Sequence, residues 1–402
     1  MAMLGRSFTV IHVISSTGRQ MMDNQTGATD SVDATGTAGH SPQPADPAQL
    51  PPAWRGWRNE PTQRKRNPMR WVRGPVEPAK DYGFFGPDSV TWRVWMYPTA
   101  HLLGFSRATT IEELDPFLVA AVDHTGKIYH DLRSRYDHTC AYFITVMVGD
   151  SETVVKSSSL LAKIHAKFGQ GIEPISGLPY EANNPDSQLW ILLTAWHSQL
   201  KVYEMLGPGP LSEADERRYW NECAIAAEFQ TVDPDKVPRS REGVRAYFEE
   251  VRPRMAASEA TQRAMNQLMS FERLYPPYPR FLKPMGWLLN KFGRATVLAT
   301  IPHWQRDLAD LHQSALVDRL VIAMGRRFYR LVARSRLVSL FLVAWMSPSS
   351  APVAAPMMRG IPPESDEILS PAEAFRRYNM PTPQQVRAGL NAGTMSRTPV
   401  GD

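Results

Sequence analysis

The chain has 402 residues, of which 43% are hydrophobic, enough for one large domain or two small ones with a substantial core. Lys and Arg number 45 against 40 Asp and Glu, so the net charge is only +5. No dense basic run with interleaved aromatic residues occurs, and this pattern argues against a nucleic-acid partner.

Residues 1–80 are predicted to form a disordered leader. From residue 15 onwards the segment is rich in Gly, Ser, Thr, Pro, Asp and Gln, so it cannot bury enough apolar area to offset its ordering entropy. The leader ends in a basic stretch at 55–73. The short apolar run at 8–14 lacks a basic start and a cleavage site, so we expect no signal peptide.

Residues 81–346 are predicted to form one helical body, which makes the fold class all-α. Apolar residues recur at spacings of three and four, and no long alternating strand pattern stands out. Asn184 before Pro185, and Ser212 with Asp215, are typical helix starts, and Gly169 is expected to be a left-handed cap. The predicted helices cover 108–149, 151–168, 188–206, 212–230, 241–255, 265–274 and 308–345.

The longest apolar stretch, residues 337–346, is about half as long as a membrane-spanning helix needs to be. It follows several arginines (Arg327, Arg330, Arg334 and Arg336), a combination found in interfacial helices. The alternatives are a core helix with a charged outer face and a helix that contacts a membrane surface. Residues 347–402 are rich in Pro, Ser and Gly and are predicted to be a disordered tail.

Motifs for several common chemistries are absent from the sequence. There is no His-Glu-x-x-His, no Walker loop, no Gly-x-Gly-x-x-Gly after a strand, no Gly-x-Ser-x-Gly and no pair of Glu-x-x-His motifs. The two cysteines, Cys140 and Cys223, cannot form a metal finger or a disulfide framework, and they favour a reducing, cytoplasmic location.

The histidine at position 165 is the best candidate for a cofactor ligand. It follows Leu161 by one turn on the apolar stripe of a predicted helix. One neutral imidazole aimed into an apolar slot is all that the proximal side of a haem requires. The alternative is a core histidine whose nitrogen is satisfied by a backbone carbonyl.

Three further residues have both a functional and a structural interpretation. His197 either faces the same pocket as His165 or packs between helices with one nitrogen towards solvent. Arg135 and Thr139 lie one turn apart and share a helix face. They either line a pocket or are an ordinary surface arginine and a threonine bonded to its own helix backbone.

An ordered set of segments spans about 200 residues and resembles one known family, the catalytic-domain family shared by the oxygenase MpaB and the rubber oxygenases (latex clearing proteins). The segments are VWMYPTAHLLGF (94–105), Arg135 with Thr139, KIHAKFG with His165 and Gly169, YEANNP (180–185), LWILLTAWHSQL, PLSEADERRYWNECAIAAE, the VPRS turn (237–240) and TVLATIPHWQRDL (296–308).

The resemblance implies a globin-like helical domain around one haem b. It makes His165 the proximal iron ligand and places Arg135 and Thr139 at the haem pocket. Rubber-cleaving members have a Lys immediately before the Thr that corresponds to Thr139. In this chain that position is His138, which would also approach the iron. This departure argues against polyisoprene cleavage. No carboxylate matches a distal catalytic group, and Asp123 and Asp137 are candidates by neighbourhood alone.

The expected function is therefore that of a haem-dependent oxygenase or related oxidoreductase. Its substrate would be an apolar small molecule and its oxidant O2 or peroxide, with Arg135, His138 and Thr139 as catalytic residues and His197 as a further cofactor contact. The alternative is a non-enzymatic helical protein that binds haem, a lipid or a metabolite.

Overall fold

The structure, a computed structural model, describes residues 67–275 and 279–395. Helices fill most of this part, which confirms the all-α class, while the globin-like arrangement stays a prediction. The first ten helices are α1 Met69–Arg73, α2 Val90–Trp95, α3 Phe105–Glu112, α4 Pro116–Thr125, α5 Lys127–His130, α6 Leu132–Val148, α7 Ser151–Phe168, α8 Pro185–Leu206, α9 Glu213–Ala227 and α10 Arg241–Val251.

The second half of the described chain is also helical, and only one small hairpin interrupts the pattern. The hairpin strands β1 Gln170–Ile172 and β2 Pro179–Glu181 are antiparallel. A π-helical turn covers Ala100–Gly104, and 3-10 turns cover Pro234–Lys236, Arg252–Arg254 and Arg280–Leu282. The remaining helices are α11 Glu259–Leu268, α12 Phe271–Leu274, α13 Lys283–Thr300, α14 His303–Leu308, α15 Ala315–Val332, α16 Arg336–Met346, α17 Ala351–Met358, α18 Pro371–Arg377 and α19 Pro383–Asn391.

The centre of the core is the long helix α8, which packs against α3, α9 and α15. Trp196 of α8 is fully buried and meets Trp95 with ring centroids 5.5 Å apart and Tyr219 with centroids 4.7 Å apart. Trp190, earlier in α8, donates a hydrogen bond from Nε1 to the carbonyl oxygen of Glu112 at 3.2 Å. This bond fixes the end of α3 against α8.

The predicted tail from residue 347 onwards is wrong for the described residues, because 347–395 carry three packed helices. Val386 and Leu390 of α19 pack against α7. The buried carboxylate of Asp137 accepts hydrogen bonds from Ser347 Oγ at 2.8 Å and Ser349 N at 3.0 Å. The prolines misled the prediction, since they occupy the first turns of α17, α18 and α19, where they favour helix formation.

The folded body also begins before residue 81, where the leader was predicted to end. Helix α1 packs against α16 and α17. Arg359 Nη1 donates to the Gly74 carbonyl at 2.6 Å, and Glu364 N donates to the Ala79 carbonyl at 2.9 Å. The N-terminal segment 67–80 is therefore held by the C-terminal helices. Residues 1–66, which hold most of the predicted leader, and 396–402 lie outside the described residues.

No helix among residues 67–275 and 279–395 is both long and apolar enough to span a membrane. The apolar stretch 337–346 forms most of α16. Leu340 and Val343 are buried, as expected of a core helix, while Leu337 and Val338 are each 47% exposed. Both cysteines are buried and free.

Candidate functional site

The neighbouring helices α6 and α7 carry most of the predicted site residues. Asp131 caps α6 by accepting a hydrogen bond from Ser134 N at 3.2 Å, and Asp150 caps α7 by accepting one from Thr153 N at 2.8 Å. The two helices pack against each other after a short connection. On α6 the half-buried residues Arg135, His138 and Thr139 lie on adjoining parts of one face, because they are three and four residues apart.

The guanidinium of Arg135 lies close enough to three other ionisable groups to affect their protonation. Its positive charge lowers the pKa of His165 on α7. It also opposes the upward pKa shifts of Glu112 and Glu113, at the end of α3. The fold therefore brings the charge of Arg135 within electrostatic reach of His165 and of two carboxyl groups, while their shared place at a haem pocket stays a prediction.

Burial decides the protonation of this group. Desolvation raises the pKa of Glu112 and of Glu113 to about 8, and the negative charge of Glu113 adds to the shift of Glu112. Part of the His165 surface is accessible, but the protein surrounds the ring densely enough that desolvation lowers its pKa to about 4. At neutral pH His165 is thus a neutral imidazole, and the two carboxyl groups are mostly protonated.

Asn183 connects His165 to the segment 180–185. Its Nδ2 donates to the Ala162 carbonyl oxygen at 2.7 Å, one turn before His165 in α7. A hydrogen bond between Asn183 and His165 partly offsets the lowering of the His165 pKa. The Asn183 carbonyl in turn accepts a hydrogen bond from Thr231 Oγ1 at 2.8 Å. Asn183 is therefore a buried and anchored side chain beside the imidazole, and it favours one orientation of the ring.

Gly169 allows the chain to approach the end of α7 closely. Ala182 N donates to the Gly169 carbonyl at 2.6 Å, and a Cβ on Gly169 would stand 2.4 Å from the Cβ of Ala182. The prediction of a left-handed cap is wrong, because φ of Gly169 is −103°. The residue is needed for space rather than for an unusual backbone angle, and this close approach places Asn183 beside His165.

Sequence reasoning missed Glu112 and Glu113. Two adjacent acids at the end of a helix are usually exposed, and only their position between the apolar residues Ile111 and Leu114 hints otherwise. In the fold Glu113 is 3% exposed, and its Oε2 has no hydrogen-bond partner among the described residues. Buried carboxyl groups with raised pKa values are typical of sites that transfer protons.

The two carboxylates that the sequence suggested have structural partners elsewhere. Asp137 points to the C-terminal segment and accepts hydrogen bonds from Ser347 and Ser349. Asp123 on α4 accepts a hydrogen bond from Tyr129 Oη at 2.8 Å and lies 3.8 Å from Arg263. Both carboxylates bind partners other than Arg135, whereas the charge of Arg135 acts on Glu112 and Glu113.

His197 does not join the group around Arg135. It lies on α8 in a different cleft, with its ring centroid 5.0 Å from that of Phe248. The apolar slot predicted around His165 is also incomplete, since Phe168 is 61% exposed. His101, on the π-helical turn, is buried, and neither of its ring nitrogens has a hydrogen-bond partner in the described part of the chain.

Within residues 67–275 and 279–395, no three or more His, Cys, Asp or Glu side chains are grouped so that they could hold a metal ion. A haem differs from such a centre, because the porphyrin supplies most of the ligands and the protein needs to supply only one.

Comparison with known proteins identifies the family. Residues 92–334 match the family described as ER-bound oxygenase mpaB/B'/Rubber oxygenase, catalytic domain. The chain belongs to this family. The matched residues include Glu112, Glu113, Arg135, His165 and Asn183, while α16 to α19 lie outside the match. Neither curated proteins nor solved structures gave a match.

The buried carboxyl groups predict that stability falls as the pH rises. Their folded-state pKa of about 8 lies above the ordinary value of 4.5. Below about pH 4.5 both groups are protonated in the folded and unfolded states, and their contribution to stability is complete. This contribution is lost as the pH rises towards 8, because the unfolded state releases the protons first. We expect the free energy of unfolding in urea to fall over this range. Glu113→Gln should make the fall shallower by up to about 1 kcal/mol per pH unit.

Glu364→Gln is the matched control for this prediction, because Glu364 is exposed. Its free energy of unfolding should depend on pH as that of the wild type does. If Glu113→Gln and the wild type have the same pH dependence, the carboxyl group of Glu113 does not retain its proton in the folded protein.

Proposed function

We propose that the protein is a haem b-dependent oxygenase, or a related oxidoreductase, that acts on an apolar small molecule with O2 or peroxide. The observation that carries the proposal is the neutral imidazole of His165, which interacts with Asn183 and with the charge of Arg135, in a chain that contains an oxygenase catalytic domain.

The donor set fits a haem. A neutral, oriented imidazole is the form that binds iron, and a hydrogen bond to a histidine ligand is a usual means of fixing its orientation. Arg135 is half-buried, and its guanidinium suits an anionic propionate. Thr139 shares its helix face and adds a hydroxyl group. His165 would thus hold the iron, and Arg135 and Thr139 would contact the rest of the cofactor.

The chain supplies proton transfer, and a bound haem would supply the activation of oxygen. Glu112 and Glu113 have pKa values close enough to neutral to donate or accept a proton during turnover. Arg135 stabilises whichever carboxyl group becomes charged. His138, one turn from Arg135, is a second titratable group at the same helix face. These residues favour a catalytic function over simple binding, because binding alone does not require carboxyl groups that titrate near neutral pH.

Replacement of His165 by Ala is expected to remove most of the haem, because the iron loses its protein ligand while α7 keeps its caps. Arg135→Ala should weaken haem retention about tenfold or more, since a charge-assisted contact is lost. His197→Ala should keep its haem, because His197 lies in a different cleft. The measurement is haem per chain together with the absorption spectrum of each variant.

Two results would contradict this proposal in different ways. If His165→Ala retains full haem with an unchanged spectrum and His197→Ala does not, His197 is the ligand. If the wild type is colourless and takes up no haem, the protein is instead a helical lipid- or metabolite-binding protein. Spectral changes on addition of dithionite and then O2 would separate an oxygen-reactive haem from an inert one.

A further inference from the structure

A second polar cleft, of about 260 Å³, is separate from the group around Arg135. Arg107 and Ile111 of α3, Thr194 and His197 of α8, and Gln305 of α14 all line it. Glu112, Glu113, Arg135 and His165 do not. The cleft therefore needs its own explanation.

Arg107 is a buried cation without a counter-charge. The residue is 1% exposed, its Nη1 donates to Ser198 Oγ at 2.6 Å, and its Nε donates to the Thr300 carbonyl at 3.2 Å. Both partners are neutral, and no carboxylate in the described part of the chain forms a salt bridge with it. Desolvation lowers the pKa of Arg107 to about 9, so the group is charged at neutral pH. A buried charge of this kind is normally paired.

Two other cations of the cleft differ from Arg107 in having acidic neighbours, and a third, Arg245, is exposed to solvent. Arg241 forms salt bridges with Glu204 and with Glu216, the latter at 2.7 Å. Lys201 lies near Glu204 as well. Arg107 is therefore the buried cation of the cleft whose charge a bound anion would balance.

Two polar atoms on the cleft wall have no hydrogen-bond partner among the described residues. They are Oγ1 of Thr194 and Oε1 of Gln305. Thr194 is 1% exposed and Gln305 is 2% exposed. Buried polar atoms are rarely left unpaired. Because both residues line the same cleft as Arg107, a single ligand would satisfy all three.

The remaining wall of the cleft is apolar and aromatic. Phe248 packs against the ring of His197. Arg252 stacks on the ring of Trp304, with its guanidinium carbon 4.6 Å from the centroid of that ring. Ile111 and Leu200 complete this side. A ligand that fills the cleft therefore has one anionic end and an apolar body.

We propose that this cleft binds a small organic carboxylic acid. The carboxylate pairs with Arg107 and accepts a hydrogen bond from Thr194, Gln305 contacts a polar substituent, and the carbon skeleton packs on Phe248 and Trp304. The proposal does not depend on the haem site.

Benzoate and inorganic phosphate are the probes for this cleft, with binding followed by calorimetry on the full chain. Benzoate is expected to bind at one saturable site, and phosphate much more weakly. Arg107→Met should weaken benzoate binding about tenfold or more. Its melting temperature should be equal or higher, because an apolar side chain of similar size replaces an unpaired buried charge.

Thr194→Val and Thr99→Val form a matched pair that decides the question even if Arg107→Met does not fold. Both replace a buried, unpartnered hydroxyl group, but Thr99 does not line the cleft. Only Thr194→Val should weaken benzoate binding. The assignment is overturned if the wild type shows no saturable binding, if the two threonine variants bind benzoate equally well, or if phosphate binds and benzoate does not.

A second, independent feature is the outer surface of α13 and α15, which we call the α13–α15 face. The two helices pack together and expose large apolar side chains at spacings of three and four. Those on the outside are each between 46% and 75% exposed, namely Met285, Leu288, Leu316, Leu320, Phe328 and Leu331. Isolated apolar side chains on a surface are ordinary, but a continuous set of this size is typical of an interaction site.

The charges on the α13–α15 face are positive. Lys283 and Lys291 on α13 and Arg319 and Arg327 on α15 are exposed. Helix α13 contains no acidic residue, and Asp318, the one acid in α15, pairs with the buried Arg306 at 3.0 Å. Two copies of this face would bring like charges together, whereas an anionic lipid surface complements them.

We infer that the α13–α15 face docks on an anionic membrane surface, with its leucines at the level of the lipid headgroups. The sequence suggested residues 337–346 as the alternative membrane contact, and we place the contact on the α13–α15 face instead. Phe341 and Trp345 are half-buried, and Trp345 stacks on Tyr275 with centroids 5.4 Å apart.

Co-sedimentation with phosphatidylcholine vesicles, with and without phosphatidylserine, tests this surface. The wild type should bind the anionic vesicles, less so at high salt, and the triple variant Leu316→Ser, Leu320→Ser, Leu331→Ser should not. The control triple Ile172→Ser, Ile175→Ser, Leu178→Ser changes exposed apolar residues of the β hairpin and should bind normally. The inference is overturned if the leucine triple variant and the hairpin triple variant bind the vesicles equally well. It is also overturned if light scattering shows that the wild type is a dimer and that only the leucine triple variant is a monomer.

Discussion

The positive charge of Arg135 is the feature on which the candidate site depends. Two carboxyl groups at the end of α3 are desolvated there, and this one positive charge acts both on them and on a neutral imidazole. Without Arg135, ionisation of Glu112 or Glu113 would leave an uncompensated negative charge in a desolvated environment. Burial lets the group hold a proton at neutral pH, and Arg135 makes its release easier, a combination that suits proton transfer.

The position of His165 depends on tight backbone packing around the end of α7. Gly169 lets Ala182 approach, and the approach carries Asn183 to the imidazole. Helix α19 then covers the same helix from the outside through Val386 and Leu390. Since α19 lies outside the residues matched by the family, part of the support for this site is contributed by a segment beyond the catalytic domain.

Local signals in the sequence predicted the helices well, because caps act within one turn. Asn184 and Ser212 cap α8 and α9 as expected. The predictions that were wrong concern features that depend on tertiary packing. Only its apolar neighbours distinguish Glu113 locally from an exposed acid. The prolines after residue 347 are typical of a disordered tail, and only the apolar surface on which their helices pack shows otherwise. Likewise the spacing of His165 and His197 gave no reason to expect that His197 lines a cleft to which His165 does not contribute.

The resonance Raman spectrum of the ferrous, haem-loaded protein tests the central claim most directly, when the wild type is compared with Asn183→Leu. We predict an iron–histidine stretching band in both proteins, shifted in the variant, because the ligand remains but its hydrogen bond to Asn183 is lost. The absence of such a band in the wild type, or an identical band in the two proteins, would contradict the assignment of His165 as the iron ligand.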